Sequence, residues 1–160
     1  MKEHCIHLLQ YDHWATLKLL KHVQHLPEDL FHKPTESVFS SIAKTFFHIY
    51  RGDRIWMKRC FPHLILYESL NEFKDIETAE NHIVVLHQLM VQSINDYYDG
   101  LDEIVYQNDK GTTFKNSLNE ILIHLANHGT YHRGNIASII RQFGCRGTST
   151  DYIQYLRDMS

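Results

Sequence analysis

The sequence predicts an all-α protein: an antiparallel four-helix bundle with a short hairpin-like connection before the last long helix and a short C-terminal helix. Apolar residues recur at the helical period in four long segments. All three prolines fall between these segments, in short polar connections. Because the 160 residues contain no linker, repeat or low-complexity stretch, we expect one domain spanning residues 1–160.

The first two helices are bounded by prolines. The first is expected from about residue 3 to residue 25 and ends before Pro27, because proline cannot continue a helix. The second begins near Ser40, where serines offer N-cap side chains, and ends at Cys60, before Pro62.

The last two long helices end at glycines, as helices commonly do. The third is expected over residues 78–98, with Tyr97 among its buried side chains, and Gly100 closes it. The fourth starts at residue 116 or 117 and stops at Gly144. Two β-prone runs between them flank residues 108–111 and predict a small hairpin, and a last short helix is expected over residues 151–157.

Composition excludes several classes of protein. The net charge of −3, with Lys and Arg scattered along the chain, argues against a nucleic-acid partner. No apolar stretch approaches the roughly 20 residues of a membrane span, and we expect a cytoplasmic protein. Cys5, Cys60 and Cys145 form no CxxC motif and are expected to be reduced thiols.

Two histidines in the fourth helix carry the clearest chemical signal. His128 and His132 are four residues apart, and such positions on a helix lie roughly 5–6 Å apart, close enough to share a metal ion. His132 lies in the middle of the apolar stripe of that helix, and His128 lies about 40° to one side. The pair is either part of a metal site or two hydrogen-bonded core histidines.

Gly129, between these histidines, favours the metal site. A glycine inside a helix costs about 0.5–1 kcal/mol relative to alanine, so it indicates space needed for a ligand or a close neighbour. The glycine also excludes the HExxH chemistry of metalloproteases, which needs a glutamate at this position. The sequence has no Glu-x-x-His pair of the kind found in di-iron bundles, so a single ion is expected.

A third ligand has to come from another helix. His48 shares a lane of the second helix with Thr45, Gly52 and Ile55, which is either a half-exposed surface or the wall of a cleft. The helical period does not choose among the candidates, which are His7, His13, His22, His48, His82 and His87.

Three motifs show a family resemblance over nearly the whole chain. They are the opening YDHWATLKLL, His48 followed eight residues later by Trp56, and the run NHGTYHRGNIASIIRQFG. With them the chain resembles the DinB/YfiT-like family of metal-binding four-helix bundles, whose opening reads Tyr-Asn-x-Trp-Ala-Asn. Asp12 and Thr16 stand where that pattern has asparagines.

The resemblance implies that His48, His128 and His132 ligate one divalent ion, most readily zinc or nickel. It also implies a homodimer and an enzyme that activates a low-molecular-weight thiol, because relatives include transferases and isomerases using such thiols. A metal-dependent hydrolase and a non-catalytic metal-binding stress-response bundle remain as alternatives. No residue is assigned as general base.

Four side chains near these histidines have two interpretations. Arg133 and Arg51 are candidates to hold a substrate carboxylate, or they are solvated charges on helix surfaces. Tyr131 and Asp53 have the same two interpretations.

Overall fold

A computed structural model describes residues 2–64, 66, 70–98 and 103–160. Most of these residues are helical, which confirms the main fold prediction. A short 3₁₀ turn that the sequence did not predict, Glu28–Phe31, precedes the second long helix. The helices are α1 (Lys2–Gln24), α2 (Ile42–Cys60), α3 (Ile76–Tyr97), α4 (Leu118–Gln142) and α5 (Tyr152–Asp158).

The four long helices pack side by side, with α1 and α2 each against both α3 and α4. The pairs α1/α3 and α2/α4 are antiparallel, whereas α1/α4 and α2/α3 are parallel. Two contacts set the direction of each pair. In the antiparallel pairs they are His13–His87 and Lys21–Glu80 for α1/α3, and His48–His132 and Trp56–His124 for α2/α4. In the parallel pairs they are Cys5–Asn119 and Asp12–Arg133 for α1/α4, and Tyr50–His82 and Phe61–Tyr97 for α2/α3. The expected antiparallel arrangement thus holds only for α1/α3 and α2/α4, because the chain enters α3 beside the first half of α2, where Phe73 packs on Phe47.

Polar side chains fix the helix starts. Ser117 and Glu120 form a capping box at the start of α4, as the predicted boundary required. At its end, Gly144 has φ +76°, a conformation that glycine adopts without strain. The α3 helix begins two residues earlier than predicted because the carboxylate of Asp75 accepts a hydrogen bond from the Thr78 N–H.

The predicted hairpin is present and leads directly into α4. Its strands are β1 (Glu103–Gln107) and β2 (Thr113–Ser117), paired antiparallel. Asn108 Oδ1 accepts the N–H groups of Lys110 and Thr112 and so closes the turn. Tyr106 packs on Trp56 of α2 with ring centroids 4.9 Å apart. The helix stop expected at Gly100 lies outside the described residues.

The apolar stripes of the four long helices meet in one buried core. Tyr97, predicted to be buried, is 53% exposed, because it is the last residue of α3 and packs at the surface against His63. Among the described residues no helix has the length and hydropathy of a membrane span. Fully buried side chains of the core include Leu19, Leu20, Ile42, Phe46, Ile49, Ile94, Leu118, Leu125 and Ile136.

A polar layer interrupts this core between α1, α2 and α3. The rings of His13 and His87 stack with centroids 3.8 Å apart and an interplanar angle of 7°. They line a cavity of about 30 Å³ together with Asp53 and Thr16. Burial, which disfavours the charged imidazolium, lowers the pKa of His13 to about 3 and that of His87 to about 4.

We expect His87 to make stability depend on pH. Its pKa is lower in the folded than in the unfolded protein, so its stabilising contribution is complete above pH 6.5 and is lost as the pH falls towards 4. Because the ring is partly exposed and therefore screened, we expect a loss of about 1–2 kcal/mol per histidine.

The measurement is urea unfolding of the wild type and His87→Phe between pH 7 and pH 4.5. Phenylalanine keeps an aromatic ring but cannot be protonated, so the wild type should lose more stability on acidification than the variant. Asp53 and His13 also have shifted pKa values and are present in both proteins, so the difference between the two profiles reports on His87 and on its repulsion of His13. Equal pH profiles would contradict the assignment.

Candidate metal centre

Three histidines meet in the cleft between α2 and α4. His48 comes from α2, and His128 and His132 come from α4; one ring nitrogen of each lies within 4.8 Å of the other two. The Nε2 atoms of His48 and His128 are 3.0 Å apart. With bonds of about 2.0–2.1 Å to a tetrahedral ion, neighbouring nitrogens lie about 3.3 Å apart. These donors fit a single ion after small side-chain adjustments.

A glycine on α2 gives His128 its place in the cleft. A Cβ atom at Gly52 would lie 3.0 Å from Cε1 of His128, closer than side chains normally pack. The missing side chain therefore lets the imidazole of His128 approach the α2 backbone and face His48, one turn earlier. At the level of His48 and Gly52, this lane of α2 therefore faces α4.

Burial keeps the three imidazoles neutral at pH 7. It is the first cause of the lowered pKa of each ring, and the pKa of His128 falls to about 4. Positive charge on neighbouring imidazoles would repel, which lowers the pKa values further. Since a metal binds the neutral form of histidine, the site needs no proton release at pH 7 to accept an ion.

Aromatic side chains border the three histidines. Phe39 lies 4.3 Å from His48 and 5.5 Å from His132 between ring centroids. Tyr131 is 63% exposed and contacts His132 edge to face at 5.0 Å. Sequence reasoning missed Phe39, because it belongs to the connection before α2 and no helical period marks it.

The remaining histidine candidates have other contacts. His13 and His87 are half-buried and stack on each other. His124 is exposed beside Trp56, with its ring centroid 5.9 Å from that of His128, and it is not one of the three converging residues. Ring nitrogens of His7, His22 and His82 form hydrogen bonds with Tyr152, Arg146 and Thr78, respectively.

Arg133 is neither a solvated helix charge nor available to a substrate carboxylate. Its side chain is 2% exposed, and its Nη1 atom lies 2.6 Å from Asp12 Oδ1. The same nitrogen donates to Thr16 Oγ1 at 3.0 Å, and Nη2 donates to Thr130 Oγ1 at 3.0 Å. Asp12 and Thr16, which depart from the family's opening motif, are therefore the partners of a buried cation.

Asp53 is also not a solvated charge. Its Oδ1 atom is buried without a hydrogen-bond partner among the described residues. Burial first, and then the negative charge of Asp12, raise the pKa of Asp53 well above its ordinary value. Arg51, by contrast, is exposed, and its charge helps to lower the pKa of His48.

Gly129 leaves space for a close neighbour rather than for a ligand of the metal. A Cβ atom there would overlap Asp12 Oδ1 and would lie 2.6 Å from Arg133 Nη1. The α4 backbone therefore approaches the Asp12–Arg133 ion pair closely on one face, while His128 and His132 occupy another.

The described residues thus define a mostly helical protein with a three-histidine site that could hold a metal ion. The DinB family model matches residues 1–159. The chain is 32% identical over 164 residues to Protein DinB of Bacillus subtilis (strain 168), a match that covers 98% of this chain and 95% of that protein. The chain belongs to the DinB family, which confirms the resemblance seen in its motifs.

The contact at Gly52 gives a test of the site. In Gly52→Ala the new methyl group should push His128 away from His48, and we expect metal affinity to fall about tenfold, the lower end of what changes around ligands cost. The measurement is Co²⁺ titration followed by absorbance. Gly134→Ala is the control, because a Cβ atom at Gly134 meets nothing within 4 Å. Equal affinities of both variants would contradict this account of the cleft.

Proposed function

We propose that this protein is an enzyme that uses a divalent metal ion to activate a low-molecular-weight thiol for transfer to an electrophile. His48, His128 and His132 hold the ion, which is zinc or nickel. The observation that carries the proposal is the convergence of three neutral imidazoles from two helices in a cleft. Three protein ligands leave a coordination position for a substrate, as in catalytic rather than structural sites.

Charge favours a thiolate as that substrate. The three imidazoles contribute no negative charge, so an anionic sulfur compensates a divalent cation better than a neutral thiol does. A bound Zn²⁺ or Ni²⁺ ion would lower the pKa of the thiol and supply the thiolate at neutral pH.

The surrounding residues suit an organic substrate. Phe39 and Tyr131 contact the ring of His132 and offer apolar surface to the electrophile. Arg51 is exposed near His48, and we assign it to a carboxylate of the thiol.

The transfer step balances without an oxidant or a reductant. The thiol releases its proton to water, and its sulfur lone pair forms a bond to an electrophilic carbon. The bond from that carbon to its leaving group breaks, and the leaving group keeps the electron pair. The product is a thioether.

The test is a titration of the Co²⁺- or Ni²⁺-loaded protein with bacillithiol, mycothiol and glutathione. We expect sulfur-to-metal charge-transfer bands with at least one thiol, followed by turnover with a model electrophile. His128→Ala should lose both signals, whereas His124→Ala, one turn away and outside the triad, should keep them. If no thiol changes the spectrum, thiol transfer fails, and hydrolysis or non-catalytic metal binding takes its place.

We infer one four-helix-bundle domain over residues 1–160 that forms a homodimer in the cytoplasm. The family match over residues 1–159 and the mutual packing of α1 to α4 support the domain. Sedimentation at micromolar concentration should give twice the 19.0 kDa mass of the chain, and a monomer would contradict the dimer.

A further inference from the structure

The face of α4 next to the metal-site face is tied to α1. Arg133 follows His132 directly, and its guanidinium donates to Asp12 and Thr16 of α1 and to Thr130 of α4 itself. It also donates to the backbone carbonyl of Asp12 at 3.3 Å. One buried side chain thus links the two helices through several hydrogen bonds.

The backbone of the same turn is in close contact with this pair. Gly129, directly after His128, lies so near Asp12 and Arg133 that a single methyl group there would overlap the ion pair. The ion pair and the glycine therefore fix both the distance between α1 and α4 and the rotation of α4 about its own axis.

Rotation of α4 matters for ligand geometry. Side-chain tips lie about 5–6 Å from a helix axis, so a rotation of about 10° moves a ring nitrogen by about 1 Å. Metal–ligand distances tolerate only about 0.2 Å. Because His48 is on α2, a rotation of α4 would move His128 and His132 relative to it.

We propose that Asp12 is a positioning residue of the metal centre: through Arg133 and Gly129 it fixes the rotation of α4 at which His128 and His132 meet His48. This inference rests on the proposed metal binding. Through Asp12, the α1 helix controls metal affinity although it contributes no ligand to the triad. The same role explains why Asp12 and Gly129 occur together at the α1/α4 contact.

The experiment compares Co²⁺ affinity, the Co²⁺ d–d spectrum and the free energy of unfolding across five proteins. Gly129→Ala adds one methyl group against the ion pair, and Gly134→Ala adds the same group to the same helix where nothing lies within 4 Å. Asp12→Ala removes the carboxylate that accepts the hydrogen bond of Arg133. Val23→Ala lowers stability from a buried site on α1 that is 2% exposed, and it controls for stability loss alone. The wild type completes the set.

We expect Gly129→Ala and Asp12→Ala to lose about tenfold or more in Co²⁺ affinity and to change the d–d spectrum, as altered supporting shells do. Gly134→Ala and Val23→Ala should bind as the wild type does. Should Asp12→Ala fail to fold, Gly129→Ala, the smaller change, decides. Wild-type affinity and spectrum in Gly129→Ala and in any folded Asp12→Ala would overturn the inference and leave the ion pair purely structural.

Failure of the proposed metal binding would give a different result. The wild-type protein would then bind Co²⁺ no better than His48→Ala does, and this inference would fail together with the metal site.

Discussion

The buried ion pair between Asp12 and Arg133 constrains the packing of α4 more specifically than any apolar contact does. Taking both charges out of water costs several kcal/mol per ion, and further hydrogen bonds add to their attraction at 2.6 Å. Thr16 and Thr130 supply those bonds. Apolar residues could stabilise the interface as well, but they would pack almost equally well at several rotations of α4 about its axis. The ion pair keeps its hydrogen-bond geometry at only one rotation.

The sequence alone predicted those features that depend on residues close together along the chain. The spacing of His128 and His132, the start of α4 and the hairpin all follow from local patterns. His48 was assigned from family resemblance, because its lane on α2 has two interpretations until α4 is seen against Gly52. The burial of Arg133 was not predictable, since its partner is 121 residues away along the chain. The exposure of Tyr97 depends equally on where α3 ends.

Histidines of low pKa occur in two places with different chemical consequences. At the metal centre, ring nitrogens of His48 and His128 face each other across the cleft at 3.0 Å. Between α1 and α3, the half-buried rings of His13 and His87 stack face to face at 3.8 Å, so the nitrogen lone pairs, which lie in the ring planes, do not point at a common ion. Burial lowers the pKa in both places, and only the orientation of the rings separates a set of metal donors from a packed pair. A count of 13 histidines could not make that distinction.

The separation of Asp12 and Arg133 along the chain also bears on synthesis. A ribosome adding about 5–20 residues per second needs roughly 6–24 s to pass from one residue to the other, given their separation of 121 positions. Until α4 emerges, Asp12 lacks Arg133 and α1 lacks its neighbour on that side. Most of translation is therefore completed without this ion pair, and the three histidines can come together only in its final stage.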